Sequence, residues 1–408
     1  MFGRNEGIIV SIARILELHD LAKAECRKYA RHRFLFGKLG ADEGRHFTGV
    51  VGPRGAGKTV LLRQYALANK DACYISADTL TPEDDLWQSI QKMKEHYGFR
   101  TFLIDEAHFL PDAAGLLKRL YDFLDVRVLF SSSVALAMRA SAHDLSRRVR
   151  LLDLPNFSFR EYLAFRQNVS LPMLTLEALA AGEWTAEHLR AGRFFEDYLL
   201  TGNLLPFALD EPEPLPFLAN VIEKVISRDI PSVARLTVDE LEHIRRLLRF
   251  VGRSAVDGIN YSSLSRNLGI TKYKAEQYVD CLEKAFILHR VLPEGTNVIR
   301  EPKVLMAPPC RLLYRERQDA IGGLREDFFV EMLRQAGMTF GYLKSTRGTK
   351  TPDYLIEGAP DGLVVEVGGK GKGREQFKGV KADRKLVFAD THTPNKGRLP
   401  LFLAGFLA

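Results

Sequence analysis

Residues 52 to 59 read Gly52-Pro53-Arg54-Gly55-Ala56-Gly57-Lys58-Thr59 and satisfy the pattern G-x-x-x-x-G-K-[ST]. The run follows an apolar stretch with strand character, HFTGVVG, and opens the helical stretch from Lys58 to Asn69, which is the context the pattern requires. Gly52, Gly55 and Gly57 allow backbone conformations barred to other residues, so successive N–H groups turn inward on a phosphate at the start of the following helix. Pro53, Arg54, Ala56 and Val60 complete the cradle. Lys58 would reach the β and γ oxygens of ATP, and Thr59 would ligate Mg2+. Further along, Thr101-Phe102-Leu103-Ile104-Asp105-Glu106 predicts a buried strand ending in two carboxylates. Asp105 would hold Mg2+ through water, and Glu106 would polarise the attacking water as general base. Neighbouring His108 suits either a reporter on the γ-phosphate or a structural histidine.

These side chains need a rigid sheet to carry them. From residue 46, apolar runs alternate with helical ones: HFTGVVG, ACYISAD, FRTFLIDEAH, VRVLFSSS and VRLLDLP are separated by helices at 58–69, 82–97, 112–125 and 135–148. That alternation predicts an α/β fold, with crossovers and a doubly wound parallel sheet buried on both faces. Ahead of it, residues 8–34 predict a helix with Ile9, Ile12, Ile15, Leu16 and Leu21 on its apolar side. It ends in Arg27, Lys28, Arg31, His32 and Arg33, a basic stretch that could touch phosphates and is read first as a solvated face.

After Pro155 the strand signals vanish, and the mostly helical stretch suits a lid behind the nucleotide. Around TVDELEHIRRLLRFVG and NYSSLSRNLGITKYKAEQYVDCLEKAFILHRVLP, a helix, a turn at Gly269, a second helix from Thr271 and alternating ILHRVL predict a winged helix-turn-helix. The final stretch mixes the helix GGLREDFFVEMLRQAG with strands MTFGYLK, DYLIEG, GLVVEVGG and RKLVFAD, a second α/β domain. The predicted division is 1–45 N-terminal helical, 46–156 ATPase core, 157–237 lid, 238–310 winged helix and 311–408 C-terminal domain.

Length and composition agree with several soluble modules. The chain has 408 residues, beyond the size at which a single hydrophobic core stops growing. It is 46% apolar and 27% charged, and no apolar run approaches the roughly 20 residues that span a bilayer. The first twenty residues carry acidic side chains and lack a compact apolar signal region, so a cytoplasmic protein is predicted. Cys26, Cys73, Cys281 and Cys310 are widely spaced, which argues for reduced, structural thiols. A net charge of +7 and a pI near 9.1 permit contact with nucleic acid without requiring it.

The strand VRVLF ends in Ser131-Ser132-Ser133, which resembles the first sensor of AAA+ ATPases, with Ser132 at the γ-phosphate. Asp144-Leu145-Ser146-Arg147-Arg148 precedes the fifth strand, where such ATPases carry an arginine that reaches into a neighbouring subunit's site. Arg148 is the first candidate for that arginine and Arg147 the second. With the RRVRLLDLPNFSFREYL segment and TGNLLP, the chain resembles a prokaryotic family of AAA-type ATPases. In that family the ATPase is fused to a winged helix and a C-terminal domain of restriction-endonuclease-like fold. Its members usually place glycine where this chain has Arg147.

The resemblance implies a nuclease-type acid set in the last domain, where acids bind Mg2+ and an E-x-K lysine orients water. Glu326, Asp353 of Thr351-Pro352-Asp353, and Glu366 fill the acidic positions, but the lysine position holds Gly368. Lys370, Lys372 and Gln376 lie nearby, yet a lysine two residues further along a strand is displaced by about 6 to 7 Å. The acid set is therefore predicted to be vestigial. Between Lys370 and Lys385, Lys370, Lys372, Arg374, Lys378, Lys381, Arg384 and Lys385 face only Glu375 and Asp383, a density that suits a phosphate backbone. The predicted second helix of the winged region offers Lys272, Lys274 and Gln277 near its start, with Glu276, Asp280 and Glu283 on the same helix.

The function these features imply is a Mg2+-dependent AAA+ ATPase that assembles into a homo-oligomeric ring, such as a hexamer, with a trans-acting arginine. It would couple hydrolysis to moving or remodelling a macromolecule, nucleic acid or a protein client. A nucleotide-dependent switch and an ATP-gated nuclease are the alternatives.

Overall fold

Five strands, β1 (Phe47–Val51), β2 (Ala72–Ser76), β3 (Thr101–Asp105), β4 (Arg127–Ser132) and β5 (Val149–Asp153), form one parallel sheet in the order β2-β3-β4-β1-β5. The computed structural model describes residues 2–39, 46–81, 84–133, 145, 147–204, 213–256, 258–295, 301–343, 351–357, 362–369, 377, 384–395 and 397–408. The side chains of 2–11 and 232–233 lie outside the description. The chain divides into two units, Met1–Pro155 and Asn156–Ala408.

In the first unit, β1 to β4 are buried along almost their whole length, as apolar strands in a covered parallel sheet must be. β5 differs from the expectation: its residues are partly buried or exposed, because it closes one edge of the sheet and, among the described residues, pairs only with β1. The helices α1 (Phe2–Cys26), α2 (Lys58–Ala68), α3 (Leu86–Tyr97) and α4 (Ala113–Phe123) make the connections and covers. α3 and α4 start on Asp85 and Asp112, whose carboxylates accept from Gln88 N–H and Gly115 N–H. α1 stops at Cys26, well short of residue 34. The carbonyls of Tyr29 and Arg31 instead accept from Gln64 Nε2 on α2, both at 2.9 Å, which pulls 27–33 out of helical geometry and onto α2. In register, Val51 lies opposite Ser132 and Asp153, and Ser76 opposite Asp105. The ends of β1, β3 and β4 thus open at one edge of the sheet, where open α/β sheets hold their ligands.

The second unit has two apolar cores. One collects the helices α5 (Phe159–Arg166), α6 (Leu176–Ala181), α7 (Ala186–Ala191) and α8 (Phe195–Leu200) against a C-terminal sheet. Residues 214–233, beginning with α9 (Pro214–Lys224), enter the other core. They pack there with α10 (Val238–Arg253), α11 (Tyr261–Leu268), α12 (Lys272–Lys284) and the antiparallel hairpin of β6 (Leu288–Val291) and β7 (Lys303–Met306). The stretch predicted as a separate lid, 157–237, is therefore divided between two cores. The cause is aromatic: Phe159 packs edge-on against Phe195 and Phe406, and Leu174 N–H donates to the Phe406 carbonyl at 2.9 Å.

The C-terminal sheet runs β12-β11-β10-β9-β8, from β8 (Phe340–Tyr342), β9 (Tyr354–Ile356), β10 (Leu363–Gly368), β11 (Arg384–Ala389) and β12 (Arg398–Pro400). β8, β9 and β10 pair antiparallel, and β10, β11 and β12 parallel. The long helix α13 (Arg317–Gln335) shares its core. Arg311 and Asp327, both wholly buried, join the two cores: the guanidinium makes two hydrogen bonds to the carboxylate and reaches the carbonyls of Val251, Gly252 and Ser254 at the end of α10. Among the described residues, no helix is long and apolar enough to cross a membrane.

Candidate functional site

The loop between β1 and α2 curls through two left-handed glycines, Gly55 at φ 82° and Gly57 at φ 92°, a conformation in which residues with a Cβ are strained. Gly52 is required for another reason. A Cβ there would stand 2.0 Å from the carbonyl oxygen of Leu154, because the chain leaving β5 is stitched against β1 by Leu154 N–H on Val51 O at 2.7 Å. Of the three glycines predicted to need special dihedrals, only Gly55 and Gly57 have them. The Lys58 ammonium is tucked back into the loop, 2.9 Å from each of the carbonyls of Gly52 and Pro53. Thr59 is partly exposed in the first turn of α2.

Arg33 is not part of a solvated face. It is buried, with one guanidinium nitrogen on the Ala56 carbonyl inside the loop and the other on the Pro155 carbonyl at 2.9 Å.

Asp105 ends β3, buried, with both carboxylate oxygens engaged. Tyr74 donates from β2 to Oδ2 at 2.7 Å, and Ser131 donates from β4 to Oδ1. Burial, and then the Asp105 carboxylate, push the Tyr74 phenol well above its ordinary pKa, so it stays a donor. The Arg63 guanidinium on α2 lies over the Tyr74 ring at 5.1 Å. A carboxylate has about four lone-pair sites. Two hydroxyls leave room for water on a cation, so the donor set fits the role predicted for Asp105.

Glu106 follows in the left-handed region at φ 51°. Its N–H donates to Ser131 Oγ at 3.0 Å, Ser133 donates to its carboxylate at 3.2 Å, and His108 Nδ1 lies 3.2 Å from the same oxygen. Ser131 and Ser133 thus both meet Glu106, one through its N–H and the other through its carboxylate. Ser131 serves Asp105, Ser133 serves Glu106, and Ser132, predicted as the sensor, lies 3.4 Å from His108 Nδ1. His108 is a buried partner of the acid.

Arg148, the first candidate, makes two hydrogen bonds to Asp122 on α4 and lies over the Tyr121 ring at 5.8 Å. Arg147 is exposed. Asp144 and Ser146 lie outside the described residues, as does most of the predicted 135–148 helix.

In the second unit, Glu326 lies on α13, Asp353 ahead of β9 and Glu366 on β10, with the charges of Glu326 and Glu366 both felt at the Asp353 carboxyl. Lys303 from β7 enters the cluster, which sequence reading missed. Its ammonium bonds Glu326 Oε1, which also accepts from Tyr354 OH at 2.6 Å. Asp353 Oδ2 accepts from Val367 N–H at 2.7 Å. Withdrawal from water, and then Glu326, raise the Asp353 carboxyl to about 8, Lys303 opposing and Glu366 adding to the rise.

Of the predicted nucleic-acid contacts, Lys272 pairs with Glu301 and Lys274 with Glu240, while Asp280 and Glu283 pair with Arg290. In the basic run, Arg384 and Lys385 start β11, and Lys370, Lys372, Arg374, Glu375, Gln376, Lys378, Lys381 and Asp383 lie outside the described residues.

The missed residues left faint signals. Tyr74 is a phenol in the apolar run ACYIS, and a buried phenol needs an acceptor. Lys303 is the single charge in KVLM, a strand buried at all four positions.

Residues 44–163 match the family model of the AAA domain, and residues 193–307 match a domain of unknown function, DUF8612. The AAA-domain match spans all five strands of the first sheet and continues through the first residues of the second unit. An uncharacterized protein of Methanocaldococcus jannaschii is 27% identical, across 84% of this chain and 80% of its own length. Among solved structures, the Aeropyrum pernix ORC1 protein in complex with DNA is 15% identical, covering 76% of this chain and 93% of that one, with a TM-score of 0.28. PCH-2 of C. elegans is 15% identical over 67% and 68% of the two chains, at 0.25. NtrX of Brucella abortus with ADP is 16% identical over 65% and 72%, at 0.24.

Proposed function

We propose that the chain is a Mg2+-dependent ATPase of the AAA+ type. The loop from Gly52 to Thr59 binds the triphosphate, Lys58 leaves the loop carbonyls for the β and γ oxygens, Thr59 and Asp105 hold Mg2+, and Glu106 is the general base. Mg2+ supplies charge neutralisation on the transferring phosphoryl group. The observation that carries this reading is the convergence at one sheet edge of the loop after β1 with Asp105 and Glu106 after β3. Asp105 is oriented by a hydroxyl from β4 and Glu106 by one from the residue that follows it.

Arg147 is our candidate for the arginine that completes a neighbour's site in a homo-oligomeric ring, because it is exposed ahead of β5 while Arg148 is held within its own chain. We further read α10–α12 with β6 and β7 as a winged helix, and α13 with β8–β12 as a restriction-endonuclease-like sheet. Nucleic acid is the favoured client. The exposed Tyr273 stands between Lys272 and Lys274 at the start of α12, whose ammoniums remain partly exposed and within reach of a phosphate backbone. A second reading, a slow nucleotide switch, is favoured by the Arg148–Asp122 pair, which keeps one candidate arginine at home.

The decisive experiment measures phosphate release with and without DNA, beside ATP binding. Glu106→Gln should bind ATP while hydrolysis falls about 100-fold or more. Parental turnover in that variant would remove Glu106 as the base, and indifference to DNA would favour the switch.

A further inference from the structure

The acids of the C-terminal sheet have the types and order of a divalent-cation site, but their surroundings do not fit one. Hard cations need several free oxygens converging on one point. Here Glu326 Oε1 is shared by the Lys303 ammonium and the Tyr354 hydroxyl, and Asp353 Oδ2 is turned onto the Val367 N–H. Among the described residues, no group of three His, Cys, Asp or Glu side chains is disposed to hold a metal ion. A fixed positive charge at the cluster also repels a second one.

Lys303 does not belong to the sheet at all. It comes from β7 of the hairpin, where all four residues are buried and, among the described residues, β7 pairs with β6 alone. Its ammonium lies 5.5 Å from the centre of the Tyr354 ring, so one lysine touches α13 through Glu326 and β9 through Tyr354. A buried lysine is tolerated only where anionic partners compensate its lost hydration, and the acid cluster supplies them.

We propose that the chain's own Lys303 takes the place of a divalent cation in the Glu326–Asp353–Glu366 cluster, making it a metal-independent brace between the β6–β7 hairpin and the C-terminal sheet. The lysine absent from the position of Gly368 is not replaced in its hydrolytic role. A cation from a different element pairs with Glu326 and turns that acid to a structural use. The inference is independent of the ATPase reading, and it can be tested without nucleotide.

The test uses the full chain, nucleotide-free, with Mn2+ as the probe. Free Mn2+ is counted by electron paramagnetic resonance, and thermal unfolding is followed for the parent, Lys303→Met, Lys303→Arg and Asp353→Asn. The brace predicts no Mn2+ binding by the parent that Asp353→Asn removes. It also predicts a lower unfolding temperature for Lys303→Met, which keeps the stem but loses the charge, and a value near the parent's for Lys303→Arg. Mn2+ bound by the parent and lost in Asp353→Asn would overturn it, as would a Lys303→Met protein that unfolds at the parental temperature. If Lys303→Met fails to fold, Lys303→Arg still decides: a folded arginine variant supports the brace, and equal failure of both refutes a role for the charge.

Discussion

Arg148 grips Asp122 through two hydrogen bonds, Nε to Oδ1 at 2.9 Å and Nη2 to Oδ2 at 3.0 Å, both within one subunit. An arginine so engaged must break that fork before it can serve a neighbour. Arg147→Ala is therefore expected to lower turnover by about 10³-fold, partly restored on mixing with Lys58→Ala subunits, because each supplies what the other lacks. Arg148→Ala should leave both turnover and stability near the parental values, since a solvent-screened pair contributes little. Phosphate release from the mixed and unmixed variants distinguishes the two arginines, and the opposite pattern returns the role to Arg148.

Tyr74→Phe removes a donor from Asp105 without changing the shape of the core. The carboxylate then loses one of its two fixed hydrogen bonds, and with it part of its orientation toward a cation. The half-saturating Mg2+ concentration for hydrolysis should rise about fivefold, the equivalent of one hydrogen bond worth about 1 kcal/mol, with little change at saturating Mg2+. An unchanged Mg2+ dependence would reduce Tyr74 to a core residue.

Gly52→Ala and Gly57→Ala separate two demands made on the same loop. The first drives a Cβ to 2.0 Å from the Leu154 carbonyl, while the second meets no atom within 4 Å but keeps a φ of 92°. Chemical denaturation should show Gly52→Ala losing more than about 2 kcal/mol, and Gly57→Ala about 1 kcal/mol. Equal losses would mean that the approach to Leu154 relaxes freely.

Asp353 gives the second unit a pH dependence of unusual sign. Its carboxyl is protonated in the folded chain up to about 8, against an ordinary value of 3.8 once unfolded. Between these values the folded state holds the extra proton, so its contribution makes stability fall as pH rises from about 4 to about 8, and it is flat above. Urea unfolding of the second unit across that window should show the decline in the parent and not in Asp353→Asn. Parallel curves would exclude Asp353 as its source.

How much of this was legible in the sequence depended on the distance between partners. The phosphate loop and the Asp105-Glu106 pair are local patterns, and their strand settings follow from apolar runs on either side, so loop, strands and sheet could be read directly. Arg33 could not be, since its acceptors are carbonyls of Ala56 and of Pro155, the latter 122 positions away. Backbone carbonyls leave no mark in a sequence. Lys303 stayed hidden because the lysine was sought beside Glu366 on its own strand, whereas the fold delivers it from a separate hairpin. The helices of 159–200 carry ordinary amphipathic signals. Nothing in them announces that Phe402 and Phe406, at the far end of the chain, complete their core.

The left-handed backbone at Glu106 has a thermodynamic consequence. A residue with a Cβ pays roughly 1 to 2 kcal/mol to sit there, and asparagine or glycine would sit there more comfortably than glutamate. This is a position where folding and chemistry favour different residues. Relieving the backbone with Glu106→Asn should leave the first unit at least as resistant to denaturant as the parent, while removing the carboxylate that Ser133 and His108 hold in place. A stabilised, inactive protein would identify Glu106 as a site where the chain gives up stability to keep a reactive group aimed.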